Sequence, residues 1–195
     1  ELRTPLSRIT GEAELAAKPG RSPGELRTAL AAIAESSAQM QRVIETLVTT
    51  AQTGLGDAGR CDATAVAHDL AGGLAGGRAR VTVEAPGPVP AGVSATVLGR
   101  ILAPLLDNAV RHTRRGVVLA VRADREHVVV AVTDDGPGVS AAVARRLFEP
   151  GASGTEGGSG LGLALSRRLA RSAGGDVTNR PRPGGARFEV TVPPG

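Results

Sequence analysis

Residues 127–138 read His-Val-Val-Val-Ala-Val-Thr-Asp-Asp-Gly-Pro-Gly, and the rest of the fold is built outward from them. The β-branched run is a strand, and it delivers a carboxylate, Asp134, onto a turn carrying two glycines. A carboxylate so placed can offer an acceptor to a ligand amino group while the glycine backbone passes close by, although an ordinary Pro-Gly turn has the same appearance. Upstream, Val117–Arg122 is a second strand, separated by Ala123-Asp124-Arg125-Glu126, so the two form a hairpin. Arg80–Glu84 and Arg187–Val192 alternate as further strands, while Val97–His112, Ala141–Leu147 and Leu161–Ser172 carry helical spacing. Without strict βαβ alternation, the expectation for residues 60–195 is an α+β sandwich rather than a doubly wound sheet.

Residues 1–53 follow a different grammar. Leu26, Leu30, Ile33, Ser37, Met40, Ile44, Leu47 and Ala51 alternate in steps of four and three, a heptad seam with Ser37 as its polar member. Ser22 as N-cap, Pro23 at the first helical position and Glu25 completing a capping box mark the start. Leu2, Leu6, Ile9, Ala13 and Ala16 give a shorter first helix ending near Lys18-Pro19-Gly20, so the pair is an antiparallel hairpin. Helix two would run about 45 Å and helix one far less. With Glu rather than Met first, this is expected to be a piece truncated upstream. Two apolar seams exceed what a hairpin can bury, so a homodimer forming a four-helix bundle is expected. Residues 54–59 are a glycine-rich linker.

Composition narrows the function. Among 195 residues, 41% hydrophobic, Phe148 and Phe188 are the only aromatics, which argues against nucleic-acid readers that stack bases on aromatic rings. The net charge of +4 is interleaved arginine and acid rather than one basic patch. Lys18, the sole lysine, precedes Pro19, which removes the P-loop and the strand lysine of Ser/Thr/Tyr kinases. A lone cysteine, Cys61, excludes a disulfide framework and a cysteine zinc cluster and suits a reduced compartment. No apolar stretch is long enough to span a bilayer and no signal peptide is recognisable, so a cytoplasmic setting is expected, with membrane attachment only through an upstream segment.

Two further stretches bear on chemistry. Gly158-Ser159-Gly160-Leu161-Gly162-Leu163 opens a helix, where backbone N–H groups favour phosphate, but it does not follow a strand as a dinucleotide fingerprint would. Residues 149–160 hold five glycines and suit a mobile lid. In Leu105–Thr113, Asn108, Arg111 and His112 fall about one helical turn apart; they could serve metal, phosphate and base, although an ordinary exposed helix face would look similar.

Taken in order and at these spacings, the elements resemble the N, G1, F and G2 boxes of the sensor histidine kinases of two-component systems, with their Bergerat ATP-binding fold. Glu1-Leu2-Arg3-Thr4-Pro5-Leu6 is similar to the H box running on from its phospho-acceptor histidine. The resemblance implies ATP and Mg²⁺ as cofactors. It places Asn108 on the metal, Arg111 near the phosphates, His112 near adenine and Asp134 on the adenine amino group, with Gly136 and Gly138 shaping the wall. Phe148 matches the aromatic at the lid base, and Gly158, Gly160, Leu161 and Gly162 lie on the phosphate side. Glu1 matches the acidic neighbour of the histidine, Thr4 the residue that orients water for dephosphorylation, and Pro5 a helix kink. The implied activity is transfer of the γ-phosphoryl group to histidine and then to an aspartate of a response-regulator receiver domain, with regulator phosphatase activity alongside. The parent is implied to sit in the bacterial cell membrane.

The departures are specific. The acceptor histidine would stand immediately before Glu1, and His68, His112 and His127 all lie in the second region. Pro104 replaces the first N-box asparagine, and Glu149-Pro150-Gly151 supplies no arginine after Phe148. A gyrase-type ATP hydrolase, which needs a glutamate at the position of Pro104, is disfavoured. A nucleotide-gated interaction module without phosphoryl transfer is the other alternative.

Overall fold

The computed structural model describes residues 3–53, 59–74, 79–149 and 162–195, without the side chains of 3–5, 38–39 and 41–53. The chain divides into two compact units, 1–56 and 57–195. In the first, α1 (Arg3–Ala16) and α2 (Pro23–Thr53) pack against each other. The capping box forms: the Ser22 N–H donates to Glu25 Oε2 at 2.8 Å and the Glu25 N–H to Ser22 Oγ at 3.3 Å.

The apolar stripe of α2 is wider than the contact with α1. Ala29 and Ser36 are buried and Ile33 partly so, whereas Leu26 and Leu30 are 37% and 63% exposed, as is Leu6 at 53%. Ser37, on the expected seam, faces water and its neighbour Ser36 takes the inner place. The seam is therefore split. One line of residues meets α1 and a second, about a residue round the helix, is exposed at Leu26 and Leu30.

The second unit begins with β1 (Cys61–Asp62) and α3 (Ala63–Gly72), capped by Asp62 Oδ1, which accepts from the N–H groups of Thr64 and Val89 at 2.9 Å each. Then come β2 (Arg80–Glu84), β3 (Pro90–Ala91), α4 (Ala95–His112), β4 (Gly116–Ala123), β5 (Val128–Asp134), α5 (Ala141–Ala144), α6 (Gly162–Ser172), β6 (Asp176–Asn179) and β7 (Arg187–Val192). Five strands form one sheet in the order β2-β4-β5-β7-β6, parallel only between β2 and β4, and β1 pairs with β3. The α+β sandwich is as expected. The second helix of the expected set is shorter: α5 stops at Ala144 and the chain turns through residues 145–148, because four residues bury too little to propagate a helix. Among the described residues no helix is long and apolar enough to cross a membrane.

Register builds the core. Leu119, Val132 and Phe188 share one row and Val121, Val130 and Val190 the next, all facing Leu98, Ile101, Leu102 and Leu105 of α4. Full burial of each such side chain contributes about 1.5–3 kcal/mol. The opposite face of the sheet is closed by charge. There Glu189 pairs with Ala131, Arg122 with Val129 and Arg187 with Thr133, and both Ala131 and Val129 are buried beneath these long side chains. Glu189 accepts from Arg180 Nε and Arg187 Nη2 at 2.9 Å each and from Arg122 Nη2 at 3.3 Å.

Burial acts to raise the Glu189 carboxyl, yet Arg180, Arg187 and Arg122 together hold it below its ordinary value near 4.5. Its stabilising contribution is therefore complete above that ordinary value and is lost as pH falls through the range below it. Glu189→Ala should lower the stability of the second unit by about 1–3 kcal/mol at pH 7, and the difference from wild type should shrink as the pH is taken below about 4. Urea denaturation at the two pH values checks this, and equal stability at pH 7 would contradict the role given to Glu189.

Candidate functional site

Helix α4 carries the first set of site residues. Ser94 Oγ accepts from the Val97 N–H at 3.3 Å and starts the helix, which runs through Pro104 to His112. Arg111 Nη2 meets Asp107 Oδ2 at 3.2 Å, with both side chains half or more exposed (51% and 72%). Such a surface pair is worth little and is easily exchanged for another anion. The Asn108 carboxamide is half-buried and bonds to no described residue.

The turn after β5 is fixed to the end of α4 by backbone contact. A Cβ on Gly136 would overlap the His112 carbonyl oxygen, so only glycine lets the two segments approach this closely. Thr113 Oγ1, at the C-cap of α4, lies 2.5 Å from Asp135 Oδ1, which also accepts from the N–H groups of Arg114 and Arg115 at 2.8 and 3.1 Å. The Thr113 hydroxyl and those N–H groups hold the Asp135 carboxyl well below the usual carboxylate range. Asp134, 3% exposed, uses Oδ1 to accept from the Gly136 and Ala186 N–H groups at 2.8 and 3.3 Å. Its Oδ2 takes no bond from a described residue.

A second glycine turn backs the first. Gly138 has φ +77°, and a Cβ there would lie 2.9 Å from the Gly185 carbonyl; a Cβ on Gly185 would overlap the carbonyl of Asp134. The Asp134 N–H donates to Ala186 O at 3.0 Å, which locks the junction.

The other end of the site lies where α6 meets α4. A Cβ on Gly162 would stand 3.1 Å from Pro104 Cβ, so Gly162 allows the first turn of α6 to rest on the proline ring. Pro104 and His112 are eight residues apart, about 12 Å along the helix. A buried carboxylate thus stands at one end of this stretch and a helix N-terminus at the other, with Asn108 between. The Phe148 ring packs edge-on against Phe188, with centroids 6.5 Å apart and planes at 85°.

Asn108, Arg111, His112, Asp134, Gly136 and Gly138 are thereby gathered on two joined segments, and Gly162, at the head of α6, rests on α4 at Pro104. Glu1, Gly158, Gly160 and Leu161 lie outside the described residues, as do the expected lid residues 150–160; Thr4 lies on α1, its side chain undescribed. Asp135, Gly185 and Ala186 escaped sequence reasoning. Adjacent Asp134-Asp135 and the pair Gly184-Gly185 were the signals available. Among the described residues no group of three or more His, Cys, Asp or Glu could hold a metal ion. A hard divalent cation would fit here only by combining the Asn108 amide oxygen with water and the oxygens of an anionic ligand, which is how Mg²⁺ prefers to bind.

Comparison with known proteins gives two family matches. Residues 93–195 match the family described as "Histidine kinase-, DNA gyrase B-, and HSP90-like ATPase", and residues 1–56 the "His Kinase A (phospho-acceptor) domain". The chain is 31% identical over 207 residues to "Probable sensor histidine kinase TcrY" of Mycobacterium tuberculosis, covering 99% of this chain and 44% of that protein. Among solved structures it is similar to "Mycobacterial sensor histidine kinase MprB", at TM-score 0.59 and 25% identity over 70% of this chain and 98% of the other. It is also similar to ShkA full-length in complex with AMPPNP, at TM-score 0.62 and 26% identity over 98% of this chain and 43% of that one. The chain therefore spans less than half the length of TcrY.

Proposed function

The chain belongs to the sensor histidine kinases of two-component systems, and on that premise we propose that it is an ATP-dependent phosphotransfer core. ATP binds with Mg²⁺ to the second unit. The γ-phosphoryl group passes to a histidine standing immediately before Glu1 in the longer protein, then to an aspartate of a response-regulator receiver domain. An upstream sensor and an anchor in the bacterial cell membrane complete that protein, with these residues in the cytoplasm.

Asp134 carries the reading. Two backbone N–H groups occupy its Oδ1 and orient the carboxylate, so Oδ2 is free to accept from the adenine amino group. Gly136 and Gly138 keep the wall clear of side chains, and His112 packs beside the base. Arg111 leaves its surface partner Asp107 for the phosphates at small cost. Asn108 would hold Mg²⁺, which when bound neutralises phosphate charge. Gly162, at the head of α6, offers its backbone N–H on the phosphate side, and the family resemblance extends that role to Gly158, Gly160 and Leu161.

Glu1 accepts the proton that leaves the histidine as its nitrogen attacks, and Thr4 orients a water for dephosphorylating the regulator. Pro104 carries no carboxylate to activate water, which favours transfer over gyrase-type hydrolysis. The exposed line of Leu26 and Leu30, with Leu6, supports a homodimer whose four helices cover both seams.

Asp134→Asn should weaken ADP binding by about 1–3 kcal/mol, because an amide can turn a donor toward the amino group. Calorimetry finding equal affinity would remove Asp134 from the site. For assembly, Leu30→Glu adds a charge where the single chain is already exposed, so its fold should survive while the dimer dissociates. Light scattering that finds wild type and variant equally monomeric at high micromolar concentration would contradict the bundle.

A further inference from the structure

Arg167 lies in α6, outside every motif that the nucleotide site draws on, and it makes three contacts at once. Its Nε and Nη2 donate to the two oxygens of Asp176 at 2.8 and 3.1 Å, a bidentate pair that fixes the plane of the guanidinium. Its Cζ lies 4.7 Å from the centroid of the Phe148 ring, so the fixed plane meets the ring as a cation–π contact. Asp176 opens β6, accepts also from Arg171 Nε at 3.1 Å, and so ties two successive turns of α6 to the sheet. Phe148 in turn rests edge-on against Phe188 in β7. The helix is thus held from the sheet on one side and from the chain preceding residue 149 on the other.

We infer that Arg167 is a positioning residue for nucleotide binding: by gripping Asp176 and Phe148 together it sets the seat of α6 and the placement of its first turn beside Pro104. This rests on the nucleotide reading of the site. Gly162, at the head of the helix, leaves room for only a close fit on Pro104. A small rotation of α6 would move that turn relative to Asn108, one turn further along α4, without touching either. Burial raises the Asp176 carboxyl, but Arg167 and then Arg171 outweigh it and keep it ionised well below the usual range, so the grip is present at neutral pH.

The test measures ADP affinity by calorimetry and melting temperature for the 195-residue protein and its variants. Arg167→Met keeps the stem and removes both the cation and the fork. It should weaken ADP binding about tenfold, roughly 1.4 kcal/mol. Arg167→Lys, which keeps a cation for the ring, should recover part of that loss. Phe148→Leu acts through the same contact, so Phe148→Leu with Arg167→Met should bind no more weakly than the worse single variant. Glu189→Gln, on the opposite face of the sheet, is the control: it should lower the melting temperature and leave ADP affinity unchanged.

Arg167→Met binding ADP within twofold of wild type would overturn the inference while leaving the nucleotide reading intact. Losses that multiply in the double variant would overturn it too, since independent effects need no shared seat. A wild-type protein that takes up no ADP is a different failure, in which the nucleotide reading falls and the role of Arg167 with it.

Discussion

The His112 carbonyl and the Gly136 backbone approach so closely that no side chain fits between them, and Asp135 fastens the same two segments by accepting from Thr113, Arg114 and Arg115. This junction joins the end of α4 to the end of β5. The relation of Asp134 to the residues of α4 depends on it. It sets Asp134 at a fixed offset from Asn108 and Arg111, which are borne by a different element, and the Gly138–Gly185 contact behind it keeps the carboxylate turned the same way. The junction is held by backbone contact and by an ionised aspartate, so all of its bonds come from the chain itself. In the proposed nucleotide site, an acceptor held in this way would spend no binding energy on its own ordering.

Charge does structural work that composition concealed. With two aromatic residues in the whole chain, the core is aliphatic, and the open face of the sheet is sealed by three arginines around Glu189 rather than by apolar bulk. An arginine pair, Arg167 and Arg171, around Asp176 ties α6 to β6. The arginine that in sequence reads only as interleaved with acid is in part the material that closes the sheet and seats a helix.

Features set by local rules were legible in the sequence. The capping box at Ser22 and Glu25 formed as expected, and so did the β4–β5 hairpin, whose turn is held by Asp124 Oδ1 accepting from the Glu126 and His127 N–H groups. Asp134 was visible because a β-branched run ended on a carboxylate and glycines. The four-residue β6 and the two-residue β1 and β3 were not, since strands this short carry no periodicity. The helix expected over 141–147 ended at Ala144, and Leu147 reaches the core from the turn that follows rather than from a continuing helix. Ser36 rather than Ser37 lies inside the hairpin, a shift of one residue that helix spacing alone cannot fix when the apolar stripe is wider than the contact with α1. Contacts such as Arg167 with Asp176 and Phe148 join separate elements, and nothing in the spacing of those residues announces them.

The central claim is that this fold delivers a phosphoryl group to histidine rather than to water. Its most direct test restores a histidine immediately before Glu1 and incubates the protein with γ-labelled ATP and Mg²⁺. The account predicts label on the protein that is released by acid and stable to alkali, absent without the histidine and passed on to a receiver-domain aspartate. Labelled inorganic phosphate accumulating while the ATP-bound protein stays unlabelled would contradict it.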